Sequence, residues 1–353
     1  MKAIILTGGL GTRLRPFTIE TPKPLLPVLN EPFLYYQLRN LQKHGVKEVI
    51  LATAYRPEKF KKALGTGAKL GLKIRYVHEE TPLGTGGAVR NAFQYLTDTT
   101  LILNGDVLHS LNVPEFLKQH RKNKAEVSIM LASVKDPTRF GLVETAKDGR
   151  IENFLEKPSW DEVTCDTINA GAYLFELSAV QSIATGGPAS LERDLFPQLL
   201  DQKRRLFGFK SREYWIDFGT IEKYLQIHLD ILNNVTPFLP TNLRRQVSFL
   251  LDKGAKIAKN TLHDGTGNIV LGKGTKSGER VRYIGQVCVG RKCVIEDGAA
   301  LENCVILDGT RVGAGARISG SVIGEKCKIG KKAVIQPGRA LGDHSVIKEY
   351  SSL

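Results

Sequence analysis

The sequence lacks any long apolar run. No stretch approaches the roughly 18 consecutive apolar residues that a membrane-spanning helix needs. The N-terminus carries a single lysine before the short apolar run Ala3 to Leu6, which is too short for the core of a secretion signal. We therefore expect no membrane-spanning segment and a cytoplasmic location.

Cysteine is scarce, and its spacing is uninformative. The five cysteines, at positions 165, 288, 293, 304 and 327, make an odd count with no metal-ligand spacing. The favoured interpretation is that they are reduced thiols that behave as small apolar residues in the core. This interpretation agrees with a cytoplasmic protein.

Long basic runs are also missing, although the chain is basic overall. Fifty Lys and Arg against 36 Asp and Glu give a net charge of +14. No run of Lys and Arg exceeds the three residues at 203–205, and no nucleic-acid-binding module is visible. An excess of positive charge suits small phosphate substrates equally well, so we expect no nucleic-acid partner.

Up to about residue 130, the sequence contains alternating strand-like and helix-like segments. The alternation predicts a doubly wound, mostly parallel sheet. Residues 140–156 then predict an antiparallel hairpin that covers the edge of the sheet. The predicted strands are 2–7, 47–53, 74–79, 100–104 and 126–134, and the predicted helices are 31–44, 57–64, 85–96, 114–122, 190–202 and 220–234.

The last part of the chain has an internal period of six. Small or modest residues follow the aliphatic ones four positions later, for example Cys293, Ala299, Val305 and Cys327. Such a repeat predicts a parallel β-helix with three hexads in each turn. The periodic aliphatics are Val289, Ile295, Leu301, Leu307, Val312, Ile318, Ile323, Ile329, Ile335, Leu341 and Ile347.

The first predicted strand leads into a glycine-rich loop, residues 7–12, which is followed by the cations Arg13 and Lys23. Closely spaced glycines allow backbone N–H groups to surround an anion, and in open α/β sheets ligands bind at the carboxyl ends of strands. The spacing fits neither a P-loop nor a dinucleotide fingerprint. On glycine content alone, a tight strand-to-loop turn remains an equal alternative.

The whole string is more specific. GGxGTRLxPxT followed by Thr-Pro-Lys-Pro-Leu closely resembles the signature of the sugar-1-phosphate nucleotidylyltransferases, or NDP-sugar pyrophosphorylases. The resemblance implies that Leu6, Gly8, Gly9, Gly11 and Thr12 bind the nucleotide. It also implies that Arg13 contacts the departing β- and γ-phosphates and that Lys23 contacts the α-phosphoryl region.

Two aspartates are candidate metal ligands. Asp106 follows the strand at 100–104, where it serves either as a Mg²⁺ ligand or as the aspartate of an ordinary turn. Asp217 ends the apolar segment Trp-Ile-Asp-Phe-Gly. The resemblance implies that Asp106 and Asp217 together hold Mg²⁺, which is the expected cofactor.

The loop from Glu79 to Ala88 contains three glycines, which would allow the backbone to approach a planar base. Its form PLGTGGA resembles that of guanylyltransferases, and a carboxylate acceptor suits the N–H donors of guanine. We therefore expect Glu79, Glu80 and Gly84 to bind the base, although both glutamates could equally be solvated loop charges.

Three further segments resemble the sugar-binding parts of the family. They are Phe-Gly at 140–141, Glu-Lys-Pro at 156–158 and Asn-Ala-Gly at 169–171. The resemblance implies that Lys157 orients the sugar phosphate and Glu156 contacts a sugar hydroxyl. Gly141, Asn169 and Gly171 complete the expected pocket.

The expected reaction is nucleotidyl transfer from an NTP, with GTP favoured, to a sugar 1-phosphate, with mannose 1-phosphate favoured. The nucleophile is already anionic, so alignment and charge neutralisation do most of the work. Heptose-1-phosphate guanylyl transfer, glucose-1-phosphate thymidylyl or uridylyl transfer, and a catalytically silent NDP-sugar-binding regulatory subunit remain alternatives. An acyltransferase role for the repeats is less favoured, because the only histidine near them is His344 at their end.

These observations predict a Rossmann-like doubly wound mixed sheet followed by a left-handed parallel β-helix. The expected divisions are a catalytic domain at 1–235, a linker and irregular segment at 236–283, and the β-helix at 284–353. We expect a homo-oligomer, because β-helix domains of this kind commonly associate.

Overall fold

The computed structural model describes residues 1–238, 244–246 and 248–353. Residues 239–243 and 247, which fall in the predicted linker, lie outside the described residues. The chain divides into two compact units, one formed by residues 1–10 and 36–215 and the other by residues 11–35 and 216–353. Within the described part of the chain, no helix is long and apolar enough to cross a membrane.

The first unit contains most of the regular elements up to residue 215. The elements within residues 27–32 and 216–232 belong to the second unit. In chain order the strands are β1 Ala3–Leu6, β2 Pro27–Val28, β3 Glu31–Pro32, β4 Glu48–Thr53, β5 Lys73–His78, β6 Thr100–Asn104, β7 Val107–His109, β8 Val127–Ser133, β9 Gly141–Thr145, β10 Ile151–Glu156, β11 Thr167–Phe175, β12 Leu206–Lys210 and β13 Trp215–Asp217. The helices are α1 Phe33–Lys43, α2 Pro57–Leu64, α3 Gly84–Asn91, α4 Val113–Lys122, α5 Leu177–Gln181, α6 Phe196–Asp201 and α7 Ile221–Leu232.

A nine-stranded mixed sheet organises the first unit. Its main path runs β10-β9-β11-β6-β1-β4-β5, with β8 beside β11 and β12 beside β8. Strands β6, β1, β4 and β5 are mutually parallel, whereas β11 is antiparallel to both β6 and β8. This mixed sheet confirms the predicted Rossmann-like fold.

The central strands form because their residues are apolar on both faces. Ile4 and Ile5 of β1 and Ile50 and Leu51 of β4 are completely buried, as expected for parallel strands covered on both sides. The core of this unit continues through β6, β8 and β11 to Phe196 of α6. The rigid sheet therefore fixes the strand ends from which the loops leave.

One central strand differs from the prediction. Residues 167–175 form β11, which lies between β6 and β8, and the hairpin β9–β10 extends the sheet beyond β11. The register between β11 and β8 shifts between Asn169 and Tyr173. This irregularity, around Asn-Ala-Gly, interrupts the apolar pattern that would have marked a strand.

The second unit ends in a stack of strands that are parallel except for β14, which is antiparallel to β15. They are β14 Arg244–Gln246, β15 Phe249–Leu251, β16 Lys256–Ile257, β17 Leu262–His263, β18 Ile269–Leu271, β19 Lys276–Ser277, β20 Arg282–Val289, β21 Val294–Ile295, β22 Ala300–Ile306, β23 Arg311–Val312, β24 Arg317–Ser319, β25 Val322–Ile323, β26 Lys328–Ile329, β27 Val334–Ile335, β28 Ala340–Leu341 and β29 Val346–Ile347. From β15 onward each strand pairs in parallel with strands of the next coil, which is consistent with a β-helix.

Aliphatic residues stack in columns inside this coil. One column runs through Ile295, Val312, Ile329 and Ile347, as the period of six predicts. The expected place of Leu307 in the neighbouring column is wrong by one residue, because Ile306 pairs with both Val289 and Ile323. The spacing of five residues that interrupts the period therefore falls between Leu301 and Ile306, and not between Leu307 and Val312 as the sequence suggested.

The coils begin well before residue 284. Strand β15 already pairs in parallel with β18, and Leu271, Ser277 and Tyr283 continue the period of six backwards from Val289. Ser277 and Tyr283 are both buried, and the tyrosine hydroxyl donates a hydrogen bond to the serine hydroxyl at 3.0 Å. A hydrogen-bonded Ser–Tyr pair replaces two aliphatics, which hides the repeat from a search for aliphatic residues.

Within the second unit, the hairpin β2–β3 is fastened to the coils by Asn30. Leu29 and Asn30 form its turn, and both have positive φ, at 44° and 67°. The Asn30 amide donates to the carbonyl of Val289 at 3.1 Å, and Arg291 donates to the carbonyl of Asn30. Asn30 is buried, so these contacts are shielded from water.

Replacing Asn30 tests the strength of this attachment. Asn30→Ala removes the amide donor and puts alanine at positive φ, so we expect the free energy of unfolding to fall by about 1–3 kcal/mol. Asn234→Ala is the matched control, because Asn234 also has positive φ (57°) but is exposed. Urea unfolding of both variants measures the difference, and equal losses would show that only backbone strain was involved.

Candidate active site

In the first unit, the glycine-rich loop starts where β1 ends. Leu6 is the last strand residue, and Thr7 is held by its N–H and its hydroxyl, both of which donate to the carbonyl of Ala52. A Cβ added at Gly8 would lie 3.5 Å from a carboxylate oxygen of Glu79. A Cβ at Gly9 would meet no atom within 4 Å. Gly8 and Glu79 are therefore brought together, and Gly9 faces open space.

Glu79 is the more constrained of the two predicted base-binding glutamates. Its side chain is 5% exposed, and Oε2 accepts a hydrogen bond from the N–H of Leu83 at 3.0 Å. Burial raises the pKa of this carboxyl, and the hydrogen bond from Leu83 opposes that shift. Glu80 is exposed. Only Glu79 is thus fixed by its surroundings.

The glycines that begin α3 pack against the chain itself. Gly84 has a φ of 72°, and a Cβ there would lie 2.6 Å from the carbonyl oxygen of Ala189. The same carbonyl accepts hydrogen bonds from the N–H groups of Gly86 and Gly87 at 2.8 and 3.1 Å. The close approach of the Ala189 carbonyl therefore explains why these positions have no side chain. A contact between Gly84 and a base stays a prediction.

Asp106 lies at the end of β6, beside the end of β1. Asn104 pairs with Leu6 across the two strands, and the N–H of Gly105 donates to the carbonyl of Leu6 at 2.9 Å. A Cβ at Gly105 would lie 2.6 Å from that carbonyl oxygen. The close turn brings the partly exposed Asp106 to the same sheet edge as the glycine-rich loop.

The predicted sugar-binding residues of the hairpin lie close together. A Cβ at Gly141 would lie 3.1 Å from Oε2 of Glu156, and Lys157 Nζ is 3.8 Å from Oε1 of Glu156. Lys157 is mostly exposed and has a φ of 54°. The structure thus joins a small residue, a carboxylate and an accessible cation.

Asn169 and Gly171 lie in the irregular part of β11. The N–H of Gly171 donates to Oδ1 of Asn169 at 3.0 Å, and a Cβ at Gly171 would lie 2.9 Å from the side chain of Asn104. The indole N–H of Trp215 donates to the carbonyl of Ala170 at 3.0 Å. Residues 169–171 are therefore held on two sides.

In the second unit, Lys23 is buried among Gly11, Asp217 and Phe218. Lys23 is 6% exposed, its Nζ lies 3.6 Å from Oδ1 of Asp217, and it stands 5.2 Å above the centre of the Phe218 ring. Gly11 has a φ of 63°, and a Cβ there would lie 3.1 Å from Cβ of Lys23. Lysine is rarely buried unless it is paired, so Asp217 accounts for its position.

Arg13 joins the same group from a short 3₁₀ helix, Thr12–Leu14. A Cβ added at Gly219 would lie 2.9 Å from a guanidinium nitrogen of Arg13 and 3.1 Å from Oδ2 of Asp217. Thr12 and Arg13 are exposed. The second unit therefore gathers two cations and one carboxylate. The absence of a side chain at Gly219 lets Arg13 and Asp217 lie close to its backbone.

Sequence reasoning missed one polar group in the first unit. Glu192 lies in a π-helical turn, Leu191–Leu195, where it accepts hydrogen bonds from Thr85 and Tyr173. Thr85 and Glu192 are 107 positions apart in the sequence. No motif connects these two residues with Tyr173. Only the packing of the turn against α3 and β11 brings them together.

A family model described as nucleotidyl transferase matches residues 2–234, and one described as GMPPB C-terminal domain matches residues 250–353. The chain belongs to the nucleotidyl transferase family. The mannose-1-phosphate guanylyltransferase of Mycobacterium tuberculosis is 38% identical to it, over 90% of this chain and 82% of that protein. Mannose-1-phosphate guanylyltransferase 1 of Arabidopsis thaliana is 35% identical, over 97% and 91%.

A solved structure, HddC from Yersinia pseudotuberculosis complexed with GMP-PN, is also similar. It is 27% identical, has a TM-score of 0.57, and the match covers 65% of this chain and 99% of that chain. Together with the family match, these findings confirm the resemblance seen in the signature segment. The protein is a nucleotidyltransferase.

Gly219 offers a test of the group around Asp217. Gly219→Ala would push a methyl group between Arg13 and Asp217, so we expect the rate of pyrophosphate release to fall about 10- to 100-fold while the fold persists. Gly187→Ala is the control, since a Cβ there meets no atom within 4 Å. Unchanged activity of Gly219→Ala would contradict a functional role for this arrangement.

Proposed function

We propose that this enzyme transfers the guanylyl group of GTP to mannose 1-phosphate, giving GDP-mannose and pyrophosphate, with Mg²⁺ as cofactor. The observation that carries the proposal is the gathering of Arg13, Lys23 and Asp217 in the second unit. The names of the similar proteins support the choice of guanine and mannose.

The reaction is a displacement at the α-phosphorus of GTP. An oxygen of the sugar phosphate forms the new bond, and the bond from the α-phosphorus to the bridging oxygen of pyrophosphate breaks. Because the nucleophile is already an anion, no general base is needed, and catalysis rests on alignment and on neutralising charge.

Each cation has a separate role in the proposal. Arg13 is exposed and binds the β- and γ-phosphates that leave, whereas the buried Lys23 binds the α-phosphoryl region. Lys157 is accessible on the hairpin and orients the incoming sugar phosphate. Backbone N–H groups of Gly8, Gly9, Gly11 and Thr12 contribute further donors to phosphate oxygens.

Glu79 is proposed as the acceptor for guanine. Its buried carboxylate lies beside Gly8, at the start of the phosphate-binding loop, and an oxygen acceptor there pairs with the N1–H and N2–H₂ donors of guanine. Leu6, Glu80 and Gly84 complete the nucleotide-binding set, and Glu156 binds a sugar hydroxyl within the pocket of Gly141, Asn169 and Gly171.

The carboxylates fit Mg²⁺, which prefers oxygen ligands and commonly uses one or two carboxylates together with substrate phosphates. Asp106 is partly exposed at its strand end, and the absence of a side chain at Gly219 lets the carboxylate of Asp217 lie close to the backbone there. We propose both as ligands. When bound, the ion would neutralise charge that develops on the phosphate oxygens.

The finer architecture belongs to the same proposal. We propose that the β-helix is left-handed, that the catalytic domain ends near residue 235, and that the coils serve a structural or oligomerising role in a cytoplasmic homo-oligomer. Light scattering of the purified protein at several concentrations tests the last point.

The substrates are tested by a grid of pyrophosphate-release assays. It crosses GTP, dTTP, UTP and ATP with the 1-phosphates of mannose, glucose and N-acetylglucosamine, with and without Mg²⁺. We expect turnover for GTP with mannose 1-phosphate in the presence of Mg²⁺. Turnover with another pair alone, such as dTTP with glucose 1-phosphate, would overturn the proposed substrates.

Asp106→Asn tests the metal ligands. It removes the negative charge without changing side-chain size, so we expect pyrophosphate release to fall about 10²-fold or more with an unchanged melting temperature. Asp201→Asn, an exposed aspartate at the end of α6, is the control. Near-wild-type activity of Asp106→Asn would rule out its metal role.

Lys157→Ala tests the sugar-phosphate contact. We expect the KM for mannose 1-phosphate to rise about 10-fold or more and the KM for GTP to change little, because only one substrate loses its partner. Lys147→Ala, an exposed lysine in the turn of the same hairpin, should leave both values unchanged. Equal increases in both KM values would contradict the assignment.

A further inference from the structure

The carboxylate of Glu192 bridges two parts of the first unit. Its Oε2 accepts hydrogen bonds from the hydroxyls of Thr85 and Ser190 at 2.7 and 2.9 Å. Its Oε1 accepts a hydrogen bond from the hydroxyl of Tyr173 at 3.2 Å. Both oxygens of one side chain are therefore used, and they reach different elements of the fold.

On the sugar side, the contact continues through Tyr173. This tyrosine is completely buried in β11, and its hydroxyl accepts a hydrogen bond from Nδ2 of Asn169 at 2.9 Å. The other end of the Asn169 amide accepts from the N–H of Gly171. The orientation of residues 169–171 thus depends on the hydroxyl to which Glu192 is bonded.

On the base side, the contact continues into the start of α3. The hydroxyl of Thr85 donates to Glu192 and accepts from the N–H of Leu191 at 2.9 Å. Ala189 receives the N–H groups of Gly86 and Gly87 and donates its own N–H to the carbonyl of Leu83 at 2.8 Å. The carbonyl of Ala189 therefore accepts two N–H groups that the start of α3 leaves without helical partners, and Glu192 holds the hydroxyl of Thr85 beside them.

We propose that Glu192 is a positioning residue that couples the base-binding loop to the sugar-binding strand, so that each subsite is aligned only when the other is. This inference rests on the proposed function for the identity of the two subsites. The hydrogen-bonded path runs from Thr85 through Glu192 to Tyr173, Asn169 and Gly171.

The charge of Glu192 also acts on Glu156, the carboxylate expected to bind the sugar. Glu192 lies close enough to Glu156 to raise the pKa of that carboxyl, after burial, which is the larger cause. The other charged groups that face Glu156 are Lys157 and Arg193, and both act in the opposite direction. Keeping a second carboxylate beside the sugar-binding one costs free energy, which points to a function. The five-residue π-helical turn that carries it is of a kind often found at functional sites.

Three variants test the proposal in steady-state kinetics. Glu192→Ala removes all three side-chain contacts, and we expect KM to rise about 10-fold for GTP and for mannose 1-phosphate alike. The melting temperature should fall as well, because the buried hydroxyl of Tyr173 loses its acceptor. Glu192→Gln keeps the shape and one acceptor oxygen, which can still serve the hydroxyls of Thr85 and Ser190, whereas its NH₂ group cannot accept from Tyr173. It should therefore restore only part of the affinity. Asp194→Asn is the control, because Asp194 belongs to the same turn, is exposed and bonds only to the N–H of Ser190.

A double mutant separates coupling from local damage. If Glu192 acts through Tyr173, the combination of Glu192→Ala with Tyr173→Phe should be no worse than the poorer single variant. Losses that multiply would show that the two residues act independently and would overturn the proposed path. In Glu192→Gln, NMR titration should also find a lower pKa for Glu156, since a neighbouring negative charge has gone.

The outcome is distinct from that of the proposed function. Wild-type turnover of GTP with mannose 1-phosphate tests the function, and the ratio of variant to wild-type KM tests the coupling with whichever pair of substrates the wild type uses. Unchanged KM values with a lower melting temperature in Glu192→Ala, or an equal effect of Asp194→Asn, would overturn the inference.

Discussion

A buried ammonium group needs a partner, and that requirement shapes the second unit. Lys23 is almost fully enclosed, and its charge is met by Asp217 and by the ring of Phe218. An isolated charge in such a place would cost several kcal/mol, so the signature segment is stable only when the residues near 217 are in place. This dependence, together with the attachment of Asn30, explains why residues 11–35 belong to the same compact unit as the end of the chain.

The same charges account for the proposed chemistry. A phosphate nucleophile that is already ionised needs positive charge more than it needs a base. In the proposed function that charge comes from Lys23, Arg13 and Lys157, which stand in two different kinds of environment, since Lys23 is buried while Arg13 and Lys157 are accessible. The surroundings of a buried cation hold it in one position, whereas an exposed side chain can change its conformation. The proposal therefore uses both fixed and adaptable charges.

Much of the architecture could be predicted because it depends on local patterns. Apolar runs gave the parallel strands, and the period of six gave the columns of the coil. The pattern failed where polar residues satisfy each other inside the core, as Ser277 and Tyr283 do, and where β11 changes register near Asn169. The role of Glu192 was not predictable, because its partners are distant in sequence and meet only through packing. Charged residues within a long motif were predictable, while positioning residues outside any motif were not.

In the proposed reaction the sugar phosphate attacks the α-phosphorus directly, and catalysis depends on charge and alignment alone. The most direct test is the stereochemistry at that phosphorus, using GTP that carries a chiral sulfur substitution on the α-phosphate. A single in-line displacement predicts that the NDP-sugar product forms with inverted configuration. Retention would mean that two displacements occur through a covalent intermediate on the protein, and it would contradict direct attack by the sugar phosphate.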